Sequence, residues 1–235
     1  MARINRRIAL LTAKYLVDSN VAFVFERGEK PVLPGVIAKL ASLTDSDNAI
    51  ESSAAAGDTE ALERLYGTII EWRFGRVDVF AAKSGRLNVI KWVRTKNIPP
   101  GGGLCLTAAK HGHIHIIKWA RAHGYGWSEM ASAGAARYGR LIVLQWLRAH
   151  GCPWSEYTCI SAAMGGHLDV LEWAVSNGCP NYIGDICFYA ARYGHLNVLQ
   201  WAAELGYEWS ASACMAEAER TGHQNVIDWI VERTF

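Results

Sequence analysis

Four histidines, His113, His167, His195 and His223, each directly follow a glycine. Imidazole nitrogens ligate metals, move protons near neutral pH and donate hydrogen bonds. These four fall one to a copy of a repeated pattern, 28 or more residues apart. Neighbours in a stack would stand about 8–10 Å apart, too far to share one ion. A structural role is therefore the expectation. Tryptophan recurs in the same way: Trp92, Trp119, Trp146, Trp173, Trp201 and Trp229 each lie seven residues after a glycine. A repeated indole can stack sugars or bases, but at one fixed helical position it reads as a packing ladder between copies. Trp127, Trp154 and Trp209 sit in loops, where an aromatic must be either packed or held by a partner.

Cysteine follows the same register. Cys105, Cys159 and Cys187 lie seven residues before a glycine, where Ser132 stands in another copy. That reads as a small buried seam position. Cys152 and Cys179 share a loop position one copy apart, beyond the reach of about 7 Å that a disulfide needs. Two residues before the glycine stand Lys83, Lys110, Arg137, Met164, Arg192 and Arg220. Such a row either complements helix C-termini as solvated charge or steers acidic partners. Tyr138, Tyr193 and His111 lie beside it. No Gly-x-Ser-x-Gly, His-Glu-x-x-His or phosphate-binding glycine loop occurs, and Pro99-Pro100-Gly101-Gly102-Gly103 reads as a turn. No enzyme and no cofactor are expected.

These positions must be set by a repeat. The marker glycines are Gly57, Gly85, Gly112, Gly139, Gly166, Gly194 and Gly222, spaced by 27 or 28 residues. A period so regular is the mark of a stacked solenoid. In the copy around Gly139, Ser128 caps a short helix through Tyr138, the glycine breaks it, and a second helix over 140–150 ends at Gly151. The second helix is apolar at offsets two, four, five, seven and eight from the glycine, an arc wide enough to be flanked on both sides. Alanine stands four residues before the glycine in six copies: Ala81, Ala108, Ala135, Ala162, Ala190 and Ala218. Small side chains there let helices approach closely.

The 235 residues are 51% hydrophobic and carry a formal net charge of +2. Near-neutrality gives no global case for nucleic acid or membrane, and no apolar run approaches the ~20 residues of a membrane span. Six cysteines in such a chain are not a disulfide scaffold.

The stretch Ala190-Ala191-Arg192-Tyr193-Gly194-His195-Leu196-Asn197-Val198-Leu199 resembles the ankyrin repeat, and the resemblance recurs in register over about four fifths of the chain. The copies are shorter than the family's about 33 residues and lack its Thr-Pro-Leu-His entry. The residues missing belong to the β-turn finger, so helix pairs with little or no strand are expected. This short, Trp-rich variety is similar to ankyrin-like arrays of large DNA viruses and some protists. The resemblance implies binding or scaffolding, hydrogen bonding between copies for the four histidines, and a concave face lined by the first helices and hence by the basic row.

Residues 1–46 do not match the repeat and read as an N-terminal helical cap, with helices near 3–17 and 34–43; residues 47–235 form the array. Arg3, Arg6, Arg7 and Lys14, with no acid among them, also suit a mitochondrial-type targeting helix. Leu33-Pro34-Gly35-Val36-Ile37-Ala38-Lys39-Leu40-Ala41-Ser42-Leu43 resembles the first helix of an F-box, which implies a ubiquitin-ligase substrate receptor; a generic proline-started helix reads equally well. Glu219, Gln224, Asp228 and Glu232 make the last copy polar, as a capping repeat needs.

The expectation is an all-α, ankyrin-like α-solenoid of seven stacked helix pairs with an N-terminal helical cap, acting as a non-enzymatic interaction module, scaffold or subunit. Its partner would be another protein with an acidic surface, or a phosphate-rich group, with nucleic acid only as part of an assembly and no membrane. The candidate contacts are Lys83, Lys110, Arg137, Tyr138, Arg192, Tyr193 and Arg220, with loop residues Trp127, Trp154 and Trp209. The setting would be the cytoplasm or a host cell's cytoplasm, or else a large particle or mitochondrial assembly.

Overall fold

The computed structural model describes residues 46–66 and 75–234. The expected N-terminal cap, the F-box-like segment and the basic segment Arg3–Lys14 lie outside the described residues. Helices come in pairs: α1 (residues 46–56) with α2 (Thr59–Tyr66), α3 (Val77–Lys83) with α4 (Leu87–Thr95), and α5 (Leu104–His111) with α6 (Ile114–Ala122). There follow α7 (Glu129–Arg137) with α8 (Leu141–Ala149), α9 (Glu156–Gly165) with α10 (Leu168–Ser176), α11 (Ile183–Tyr193) with α12 (Leu196–Glu204), and α13 (Ala211–Thr221) with α14 (Gln224–Thr234). No strand occurs among the described residues. No helix among them is long and apolar enough to cross a membrane.

Each pair is divided by its marker glycine in the left-handed region, from Gly57 at φ 84° to Gly222 at φ 78°. An L side chain is strained there, and glycine is not. The amide after the glycine folds back on the alanine four residues before it. His113 N–H donates to Ala108 O at 2.8 Å and His195 N–H to Ala190 O at 2.9 Å, the wider bond of a Schellman turn. The predicted cap differs in detail. Ser128 stands at the N-cap of α7 but its hydroxyl makes no capping bond. Its extended backbone instead presents the carbonyl, to which Ala131 N–H (2.9 Å) and the Cys152 thiol (3.6 Å) donate. Ser210 does cap α13, accepting from Ala213 N–H at 3.2 Å.

The odd-numbered helices from α3 to α13 pack backbone to backbone, copy on copy. The six seam alanines are fully buried between them, as are Cys159, Cys187 and Ser132. Even-numbered helices stand further apart from α4 onward, and the space between them is filled by half-buried indoles packed on the core. Each copy is thus a wedge, thin on the first-helix side.

Gly165 shows how close the seam is. A Cβ built there would collide with the Arg137 carbonyl oxygen of the preceding copy and lie 2.6 Å from His167 Cδ2. Gly184, also helical, has open space around it. Gly165→Ala should therefore cost about 1–3 kcal/mol by overpacking, whereas Gly184→Ala should be neutral or stabilising by up to about 1 kcal/mol. Urea unfolding followed by circular dichroism checks both, and equal effects would refute the seam argument.

One acidic side chain is built into the core. Asp78 on α3 is 1% exposed. Its carboxylate accepts from Val79 N–H at 2.8 Å and Gly101 N–H at 2.9 Å, tying the Pro99–Gly103 turn to the first helix. Burial pushes its carboxyl up from an ordinary 3.8 to about 6, against the pull of the two amides. The folded state then binds this proton more tightly than the unfolded chain. The contribution to stability is complete below about pH 4 and is lost as pH rises through about 6. The wild type should accordingly gain melting temperature relative to Asp78→Asn as the pH is lowered from 7 to 4. A constant difference across that range would show that Asp78 does not titrate there.

Candidate partner-binding surface

The residues two positions before the marker glycines close the first helices, and five of them, Ala55, Lys83, Lys110, Met164 and Arg192, are held by their backbone carbonyls. His113 Nε2 lies 3.3 Å from the carbonyl oxygen of Lys83, His195 Nε2 lies 3.2 Å from that of Met164, and His223 Nε2 lies 3.1 Å from that of Arg192. Where a copy has arginine in place of histidine, the bond persists: Arg86 Nε donates to Ala55 O at 3.0 Å and Arg140 Nε to Lys110 O at 3.2 Å. The rings lie over the glycine of the previous copy. A Cβ on Gly139 would sit 2.7 Å from His167 Cε1, and one on Gly85 would sit 2.8 Å from His113 Cε1. Burial is the main cause that holds His195 below its ordinary pKa.

A second clasp uses the residue three past the glycine, which donates to the carbonyl of the previous marker glycine. Asn88 reaches Gly57 O at 2.7 Å and Asn197 reaches Gly166 O at 3.2 Å; His115 stands 3.3 Å from Gly85 O. Ile142 takes this position in α8, cannot donate, and is 73% exposed. The sequence reading missed it, although the break in an otherwise polar column is visible in the repeat.

Lys83, Arg192 and Arg220 are exposed, Lys110 is half-buried, and Arg137 is half-buried with its Nη1 enclosed and without a hydrogen-bond partner. Lys110 Nζ lies 5.9 Å from the Tyr138 ring, and His111 packs against the same ring at 6.3 Å. Arg137 Cζ lies 4.9 Å from the centre of the Tyr193 ring, two copies away, crossing the level of Met164. Tyr138 and Tyr193 are 48% and 37% exposed. His111 is held below its ordinary pKa by burial first, then by the charges of His113, Lys83, Arg140 and Lys110. A net positive field is thus concentrated at this end of the row.

The other end is partly compensated by one carboxylate. Glu217 on α13 accepts from Arg220 at 2.8 Å and lies 3.8 Å from Arg192. The Arg220 hydrogen bond holds the Glu217 carboxyl below its ordinary range. The sequence reading missed this acid as well; its only signal is the three-residue spacing to Arg220. Among the described residues, Lys83, Lys110 and Arg137 form no ion pair.

The loop tryptophans are not brought to this surface. They lie on the second-helix side and are half-buried against the core. Trp127 meets Trp146 edge-on at 6.1 Å, Trp154 meets Trp173 at 5.9 Å, and Trp209 stacks on Trp229 at 5.8 Å. Arg121 covers Trp127 at 4.3 Å and Arg148 covers Trp154 at 4.0 Å. All six cysteines are buried free thiols. Burial pushes Cys105 and Cys214 up to about 11 and Cys187 up to about 12, which suits packing and not nucleophilic attack. No group of three or more potential metal ligands occurs among the described residues.

No curated protein matches the chain. Residues 159–203 match the family model for ankyrin repeats, many copies. The match runs from within α9 to within α12, across two consecutive copies, and the stacked helix pairs of the array form an ankyrin-like helical solenoid.

Proposed function

We propose that the array is a non-enzymatic protein-interaction module, a scaffold or subunit that captures a partner with an acidic surface. The observation that supports this reading is the charge asymmetry of the row. Lys83, Lys110 and Arg137 have no carboxylate partner, and Lys110 and Arg137 stand beside the exposed Tyr138 and Tyr193, while Arg192 and Arg220 share Glu217. In a stack of wedges the thin side is the inner side of the curve, and that side carries the row. An acidic segment lying along it would meet one cation every about 8–10 Å. Tyr138, Tyr193 and Ile142 supply the apolar contact that exposed charge pairs lack. Six unpaired thiols support a reducing compartment such as the cytoplasm.

The test is the binding of a fluorescent Glu/Tyr-rich peptide to the intact chain, read by anisotropy at low and at moderate salt. Exposed pairs contribute up to about 1 kcal/mol each. Lys110→Ala with Arg137→Ala should therefore weaken binding by about tenfold at low salt and less at high salt. Arg192→Ala with Arg220→Ala should change it far less, because those cations are already paired. An equal loss in the two double variants, or no loss in the first, would refute the reading.

A further inference from the structure

The second-helix side carries a feature that the basic row does not account for. It is an open groove of about 400 Å³ lined by Lys118, Arg121, Trp127, Trp146 and His150. Each wall is fixed in place. Arg121 lies over Trp127 at 4.3 Å and donates one N–H to Tyr125 O at 2.8 Å, which leaves the rest of its donor fork uncommitted. His150 stacks on Trp146 with ring centres 4.0 Å apart, and its Nδ1 lies 2.8 Å from the Trp146 carbonyl oxygen. Lys118 Nζ stands 5.8 Å from the same indole. Among the described residues no carboxylate pairs with Lys118 or Arg121.

The next junction is an internal comparison. Arg148 covers Trp154 at 4.0 Å, Trp154 meets Trp173 at 5.9 Å, and Asn177 donates to Trp173 O at 2.8 Å. The frame is the same, but Gln145 and Asn177 stand where Lys118 and His150 stand. One copy earlier Lys91 and His123 hold the same registers, and His123 stacks on Trp119 with ring centres 4.2 Å apart, but Pro100 stands there in place of the loop tryptophan. Lysine, histidine and the loop indole are combined only at the junction of Trp127 with Trp146, where both polar side chains line the groove.

We propose that this groove binds a phosphomonoester, with the phosphate held by Lys118, Arg121 and the free edge of His150 and the organic group against the indoles. A phosphate monoester carries a charge of about −1.5 to −2 and three acceptor oxygens, which two unpaired cations and an imidazole complement better than they do a carboxylate. The same head group is offered by a free phosphorylated small molecule or by a phosphorylated side chain.

The experiment titrates the intact chain with phenyl phosphate, with a short phosphotyrosine peptide and with inorganic phosphate, read by tryptophan fluorescence and calorimetry. Saturable one-to-one binding of phenyl phosphate, tighter than inorganic phosphate, is expected. Tighter binding still of the peptide identifies a protein-borne source, and equal binding a small ester. Lys118→Gln with His150→Asn imports the neighbouring junction's own residues, so the fold is retained, and binding should fall by about tenfold or more. The converse variant, Gln145→Lys with Asn177→His, should raise the stoichiometry from one to two. Absence of saturable binding, unchanged affinity in the first variant, or inorganic phosphate binding as tightly as phenyl phosphate would overturn the proposal. Lys110→Ala with Arg137→Ala leaves this site intact, so its failure and that of the acidic-partner reading are distinguishable.

Discussion

The array depends on one junction, repeated from Gly57 to Gly194: a glycine in the left-handed region with the next copy's ring or arginine side chain laid over it. The glycine ends the first helix without strain and leaves room for the side chain above. At five of these six junctions that side chain also donates to a carbonyl at the first helix's end, one of the groups that a helix C-terminus leaves unsatisfied. Two requirements are met by one contact. Histidine and arginine serve equally because each carries a planar N–H donor at a similar reach, as Arg86 and Arg140 show. Under a histidine a Cβ on the glycine would collide with the ring, as at Gly139 and Gly166, whereas under Arg140 a Cβ on Gly112 would only touch the side chain at 3.6 Å.

Around this junction the two sides of the stack are built from different materials. Alanine, glycine, serine and cysteine separate the first helices; indoles, with arginine layered on the loop tryptophans, separate the second. This gives the two sides different surface chemistry. The first-helix side carries charge on helix ends, set beside tyrosines. The second-helix side carries cation–aromatic sandwiches that are part of the packing.

The period, the helix breaks, the alanine seam and the packing of the helix tryptophans were legible in the sequence, because each is a residue type at a fixed register. What was not legible lies between copies. Ser128 has a capping residue's identity, but the backbone at its own position turns its carbonyl, not its hydroxyl, toward the donors. Glu217 looks like one more surface acid until α11 and α13 are stacked and it falls beside Arg192 as well as Arg220. Asp78 gives no warning of burial, since its partners are backbone amides, one of them in a turn 23 residues on. Ile142 was visible as a departure from the column, but its meaning required knowing that the column reaches back to the previous glycine.

The clasp has a further consequence for how such a chain can change over generations. It grips lysine, methionine, arginine and alanine alike, because its target is the peptide carbonyl, which every residue possesses. The same five positions therefore hold the stack together through their main chain and face outward through their side chains. Selection can rewrite the outward chemistry one copy at a time while the architecture stays untouched. Duplication of a copy adds a new position of the same kind, already supported and free to diverge.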